Sequence, residues 1–203
     1  MRKPKQTYSR AAIIGLLLLY AASVFAHDGV HIGASGFAAG FAHPFSGLDH
    51  LLAMLAIGLW AAQNRRSALW VLPAAFPLMM VLGALLAIAG LHTSLAEPGI
   101  AATLAVLGLL IAFAVRMPVW CAALLVSVFG MLHGYAHGLE MPRDATMGMF
   151  GLGFVAATLL LHLSGVALGM LARQPRARAL LLPAMLRVAG MGITVVGMYF
   201  LAA

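Results

Sequence analysis

Apolar stretches of about 20 residues recur along this chain, and a helix needs roughly that length to cross the hydrocarbon core of a bilayer. Only 8% of the 203 residues are charged, whereas a soluble domain has about 25%. The sequence therefore predicts an all-α, polytopic helical membrane protein with six transmembrane segments. They cover about 32–62, 68–90, 99–115, 118–139, 146–172 and 180–202.

The first 26 residues have the features of a cleavable signal peptide. Four basic residues precede the apolar stretch "AAIIGLLLLYAA", which is too short to span a bilayer comfortably, and "VFA" places small residues before the cleavage site. Cleavage after Ala26 makes His27 the new amino terminus, outside the cytoplasm. We expect a signal peptide over 1–26 and one transmembrane domain over 27–203, with an uncleaved signal anchor as the alternative.

The basic residues predict the orientation of the segments. With His27 outside the cytoplasm, six arginines fall in cytoplasmic loops and only Arg143 falls in an outer loop, as the positive-inside rule requires. The six are Arg65, Arg66, Arg116, Arg173, Arg176 and Arg178. The formal charge of +7 does not indicate nucleic-acid binding, because the basic residues flank apolar segments and form no patch in the sequence.

Segment one contains "AHPFSGLDHLLAMLAIG", residues 42–58, in which His43, Asp49 and His50 interrupt an apolar run. Such side chains are expensive within a membrane and usually have a function there. Proline disfavours helix in the preceding residue, so Pro44 and Gly47 predict a broken helix, with the break at His43–Pro44. Broken helices at membrane depth are typical of transporter binding sites.

Segment four contains "FGMLHGYAHGLEMP", in which His133, His137 and Glu140 are spaced by four and then three residues. On an α-helix this spacing places the three side chains on one face. Two imidazoles and a carboxylate are suitable ligands for a divalent metal of borderline softness. We interpret them as metal ligands, and hydrogen bonding between helices is the alternative.

Two weaker candidate positions follow from the remaining histidines. In segment five, Thr158 and His162 are four apart on one face, and we expect His162 to be a further ligand deeper in the membrane. Near the expected new amino terminus, His27 could chelate a metal through its free amine and imidazole, with His31 close by.

Three other residues are not assigned to the site. His92 and Glu97 fall in the outer loop between segments two and three, where we expect them to be solvated. Cys121 is the single cysteine, so neither a disulfide framework nor a cysteine metal cluster is available.

These motifs together resemble the HupE/UreJ family. The resemblance covers essentially the whole mature chain and includes "HDG", "HPFSGLDHLLAMLAIGLWA", "HGYAHGLE" and "ATLLLHLSG". Its most specific part is "HPFSGLDH", which is similar to the family's His-Pro-x-x-Gly-x-Asp-His signature. The resemblance implies metal roles for His43, Asp49, His50, His133, His137 and Glu140.

The resemblance also implies a bacterial inner-membrane protein that supplies nickel to hydrogenase or urease, as a permease or an accessory protein. We therefore expect a non-enzymatic protein of the inner (cytoplasmic) membrane that passes Ni²⁺, with both mature termini in the periplasm. Its expected partners are the lipid bilayer, a divalent metal ion and hydrogenase or urease maturation proteins. Co²⁺ or another divalent transition metal would fit the same ligand types.

Three other functions are consistent with parts of the sequence. The first is an accessory or sensor protein that binds metal without transporting it. The second is a haem-binding protein with His133 and His162 as axial ligands. The third is a rhomboid-type protease, because "GASG" at 33–36 has Ser35 where that family has its nucleophile. In that family, however, the serine follows several spans, whereas Ser35 lies at the outer end of segment one.

Overall fold

Seven helices have defined bounds in the computed structural model, which describes residues 36–91, 93–141, 146–176 and 181–202. They are α1 (Phe37–Ser46), α2 (Leu48–Gln63), α3 (Ala68–Ile88), α4 (Ala96–Ala112), α5 (Val119–Glu140), α6 (Met147–Ala172) and α7 (Leu182–Ala202). The described residues contain no strand, and they belong to one unit, Ala34–Ala203. The all-α prediction is confirmed.

Four of the helices, α3, α5, α6 and α7, are long and apolar enough to cross a membrane. Helices α1 and α2 pass the same test only together, as a bent pair. The apolar helix α4 has 17 residues, or ~26 Å at the usual rise, against a hydrocarbon core of ~30 Å. The chain is a multi-pass membrane protein, while the count of six spans, the orientation and the signal peptide over 1–26 stay predictions.

The first segment is broken as predicted, but the break lies at Gly47 and not at His43–Pro44. Helix α1 continues through Pro44 to Ser46, and the axes of α1 and α2 differ by 88°. Proline removes one backbone hydrogen bond, which a membrane helix tolerates when its neighbours are packed around it. Glycine loses more conformational freedom in a helix than any other residue, and Gly47 adopts an extended backbone with φ −112° and ψ 127°.

Close approach between helices brings the polar segments together. A Cβ atom on Gly134 would overlap the carbonyl oxygen of Met80, so α3 and α5 pack backbone to backbone. A Cβ atom on Gly58 would likewise overlap the carbonyl oxygen of His162, where α2 meets α6. Small residues permit such contacts in membranes, where packing rather than the hydrophobic effect holds helices together. The rings of His50 in α2 and His133 in α5 are in contact, and Phe76 of α3 contacts both His133 and His162 of α6, so the histidines of these helices share one interior.

Candidate metal centre

Three side chains from α1 and α5 converge beside the break in the first segment. The Nε2 atom of His43 lies 3.1 Å from Nδ1 of His137 and 3.7 Å from Oε2 of Glu140. The Nδ1 atom of His137 is 3.4 Å from the same carboxylate oxygen. A point equidistant from the three atoms in their plane lies about 2 Å from each, which is the bond length of an ion such as Zn²⁺ to these ligand types. These residues could hold a metal ion.

Two more imidazoles pack against this group from the first turn of α2 and from α5. The ring centre of His50 is 4.4 Å from that of His137 and 5.8 Å from that of His133. The break at Gly47 turns α2 back toward α1, so the ring centres of His43 and His50 are 6.3 Å apart. The Oδ1 atom of Asp49 lies 2.7 Å from Nδ1 of His50. A carboxylate in this position orients an imidazole and makes it a stronger metal ligand.

Five buried imidazole nitrogens have no hydrogen-bond partner within the described part of the chain. They are Nε2 of His50, His133, His137 and His162, and Nδ1 of His50, which contacts Oδ1 of Asp49 only as an ion pair. Buried polar atoms are normally paired. The Nδ1 atoms of His133 and His162 face the carbonyl oxygens of Phe129 and Pro73, at 2.9 and 3.3 Å. An imidazole nitrogen that faces a carbonyl must carry the proton, so each Nε2 keeps a free lone pair, the form that binds metal.

His162 lies apart from the other imidazoles, behind an aromatic side chain. The ring of Phe76 in α3 is centred 5.3 Å from the rings of both His133 and His162, and all three side chains are fully buried. The hydroxyl of Thr158, one turn earlier in α6, is also buried without a partner. The ring of Phe76 therefore packs against both imidazoles.

A cleft of about 830 Å³ opens onto the imidazole and carboxylate group. Asp49, His50, His137 and Glu140 line one side of it, and the start of α4 contributes Glu97. Glu97 is exposed, as expected, but we did not predict its place in this cleft. The sequence does contain a signal for this position, because Glu97 is an acidic residue in the first turn of an apolar helix. Every carboxylate side chain in the described residues lines this cleft.

The structure therefore brings together residues from both main motifs, while their metal roles stay predictions. The weaker candidates His27 and His31 lie outside the described residues, as do Ser35 and His92.

The fold and this polar group define a class: a multi-pass helical membrane protein with a candidate metal-binding group between its helices and an open cleft. The chain matches the model of the HupE / UreJ protein family over residues 15–200. It is 42% identical over 164 residues to Protein HupE of Rhizobium leguminosarum bv. viciae, an alignment that covers 81% of this chain and 85% of that relative. No solved structure matches the chain. The chain belongs to the HupE/UreJ family, and the resemblance found in its sequence is confirmed.

Proposed function

We propose that this protein passes Ni²⁺ across the bacterial inner membrane and supplies it to hydrogenase or urease maturation. The observation that carries the proposal is the triangle formed by His43 Nε2, His137 Nδ1 and Glu140 Oε2, whose dimensions suit one transition-metal ion. Nickel is the ion that the family resemblance implies. The unpartnered Nε2 atoms of His50 and His133 offer the next ligands within the same interior.

The proposed path begins in the cleft. Carboxylates of Asp49, Glu97 and Glu140 line it, and clefts with charge of one sign concentrate ions of the opposite sign. At the triangle, the ion exchanges water for imidazole and carboxylate ligands. A site without thiolates favours release as well as entry, and conduction requires both.

The second half of the path requires a side chain to move. The ring of Phe76 packs against both His133 and His162, so in this proposal it swings aside when an ion passes. His162 and Thr158, with unpartnered polar atoms, then form a second station. Under this proposal both termini are periplasmic, the protein catalyses no chemical reaction, and the recipients are hydrogenase or urease maturation proteins.

The second candidate function is a metal-binding accessory or sensor protein without transport. The observation that favours it is the same phenylalanine ring, since Phe76 is fully buried and packs directly against His133. In that case the triangle binds nickel and returns it to the side from which it came.

Proteoliposomes distinguish the two functions. The purified protein is reconstituted with a nickel-sensitive dye inside the vesicles, and nickel binding is measured separately by equilibrium dialysis. We expect uptake by the wild-type protein, and a strong loss of both uptake and binding for His137→Ala. His92→Ala, which removes a histidine of the outer loop, is the matched control and should behave as the wild type does. Binding without uptake by the wild-type protein would refute transport and favour the accessory function.

A further inference from the structure

A second cavity lies at the opposite ends of α2 and α5 from the candidate metal centre. It has a volume of about 350 Å³ and is lined by residues of three loops: α2–α3, α4–α5 and α6–α7. Four of its seven lining residues are arginines: Arg65, Arg66, Arg116 and Arg173. We call it the arginine pocket. It shares no lining residue with the cleft of the metal centre.

The positive charge of the arginine pocket has no counter-ion among its lining residues. The whole sequence has only five acidic residues, and those that the structure describes, Asp49, Glu97 and Glu140, line the other cleft. Arginine remains charged at any pH at which proteins fold. The four arginine residues are exposed, so solvent screens part of the repulsion between their guanidinium groups, and an anion between them would remove more of it.

A buried amide also points to an anion in this pocket. Asn64 lines the pocket and is only 2% exposed. Its Oδ1 accepts a hydrogen bond from the backbone N–H of Arg65, at 3.0 Å, whereas its Nδ2 is buried and has no hydrogen-bond partner among the described residues. An amide nitrogen can only donate, so an acceptor is required to satisfy it.

Hydrogen bonds hold the three loops around the pocket in place. The indole of Trp60 in α2 donates to the carbonyl oxygen of Val115 at 2.9 Å, and this bond connects α2 to the α4–α5 loop. Nη1 of Arg173 donates to the carbonyl oxygen of Ala62 at 2.8 Å, and this bond connects the α6–α7 loop to α2. The pocket is therefore built by contacts between distant parts of the chain and not by one flexible loop.

Two helix amino termini add to the positive potential at the pocket. Helix α3 begins at Ala68, two residues after the lining residue Arg66, and α5 begins at Val119, directly after Pro118. The amino terminus of a helix carries a partial positive charge, which favours phosphate. At α3 this effect is one of charge alone, because the N–H groups of Ala68 and Leu69 donate to the carbonyl oxygens of Arg65 and Arg66.

We propose that the arginine pocket binds a phosphate group, carried by an anionic phospholipid or present as inorganic phosphate. Arginine forms paired, charge-assisted hydrogen bonds with phosphate oxygens, and basic pockets between transmembrane helices bind lipid headgroups. The positive-inside rule explains arginines in these loops, but it requires neither their convergence on one cavity nor a buried amide without an acceptor. The proposal does not depend on nickel transport.

The test uses the full-length protein in detergent, with two ligands. Native mass spectrometry counts bound phosphatidylglycerol against phosphatidylcholine, and thermal unfolding is measured in inorganic phosphate against chloride at equal ionic strength. The pocket variant is Arg66→Gln/Arg116→Gln, with Asn64→Leu as a second variant. The matched control is Arg176→Gln/Arg187→Gln, which removes the same charge from residues outside the pocket.

We expect the wild-type protein and the control to bind phosphatidylglycerol, inorganic phosphate or both, and the pocket variant to bind at least about tenfold more weakly. Stabilisation by inorganic phosphate alone identifies the free ion, and selective retention of phosphatidylglycerol identifies the lipid. Without phosphate, the pocket variant should unfold at the same temperature as the wild type or higher, because like charges have been removed. The proposal is overturned if the wild type binds neither ligand, or if the control loses binding as much as the pocket variant does.

Discussion

Asp49 provides a specific test of the candidate metal centre, because its carboxylate contacts the predicted ligand His50 and is not part of the triangle. Its Oδ1 lies 2.7 Å from Nδ1 of His50, which leaves Nε2 of that imidazole unpartnered and facing the interior. The Asp49→Asn change keeps the shape of the side chain and removes its charge. Loss of such a supporting group typically lowers metal affinity by about 10–100-fold.

This change should raise the nickel concentration needed for half-maximal uptake by about 10–100-fold, while leaving the maximal rate close to that of the wild type. The effect is one of affinity, so high external nickel should restore uptake through mass action. Uptake into proteoliposomes is measured over a nickel series, with His92→Ala as the control for loss of an outer-loop side chain. The reasoning is refuted if Asp49→Asn inserts normally and keeps wild-type uptake at limiting nickel, or if only the maximal rate falls.

Four further outcomes are expected. Phe76→Leu should retain nickel binding in dialysis and raise the maximal uptake rate, because a smaller side chain obstructs passage from His133 to His162 less. An unchanged rate would argue against Phe76 as an obstacle to the ion. Nickel binding should weaken as the pH is lowered in titrations, because protons compete for imidazole and carboxylate ligands. Gly134→Ala should destabilise the protein by about 1–3 kcal/mol in thermal unfolding, since its Cβ overlaps the carbonyl oxygen of Met80, whereas Gly192→Ala, with no atom within 4 Å of its Cβ, should be neutral. A reporter active only in the cytoplasm should be silent when fused after Ala203, and activity there would contradict the predicted topology.

The helix positions could be predicted from the sequence because apolar length alone defines a membrane segment. The predicted segment 146–172, for example, corresponds to α6 over Met147–Ala172. Pro44 and Gly47 predict a break in segment one at His43–Pro44. The structure has the break at Gly47 instead. A proline rule derived from local sterics does not include the neighbouring helices, which hold α1 helical through Pro44.

Only one part of the candidate site could be predicted from helical spacing, namely which residues of a single helix lie on the same face. The spacing places His137 and Glu140 on one face, and their side chains do meet. The contact of His43 with His137 depends on how α1 packs against α5, and apolar helices without a polar face carry little information about their partners. For the same reason, the contacts of Phe76 with two histidines had no signal in the sequence. The positive-inside pattern predicts Arg65, Arg66, Arg116 and Arg173 on one side of the membrane, but not that they line one cavity.

The two ends of the bundle have opposite charge, and this bears on how a cation could leave. Carboxylates of Asp49, Glu97 and Glu140 line the cleft of the metal centre, and arginines line the pocket at the other end of α2. A divalent cation is therefore attracted to the cleft and repelled near the arginine pocket. The bundle alone favours retention at the first site, so passage to the second side requires a step that offsets this repulsion. A phosphate group in the arginine pocket would offset part of it, because the anion neutralises guanidinium charge where it is densest.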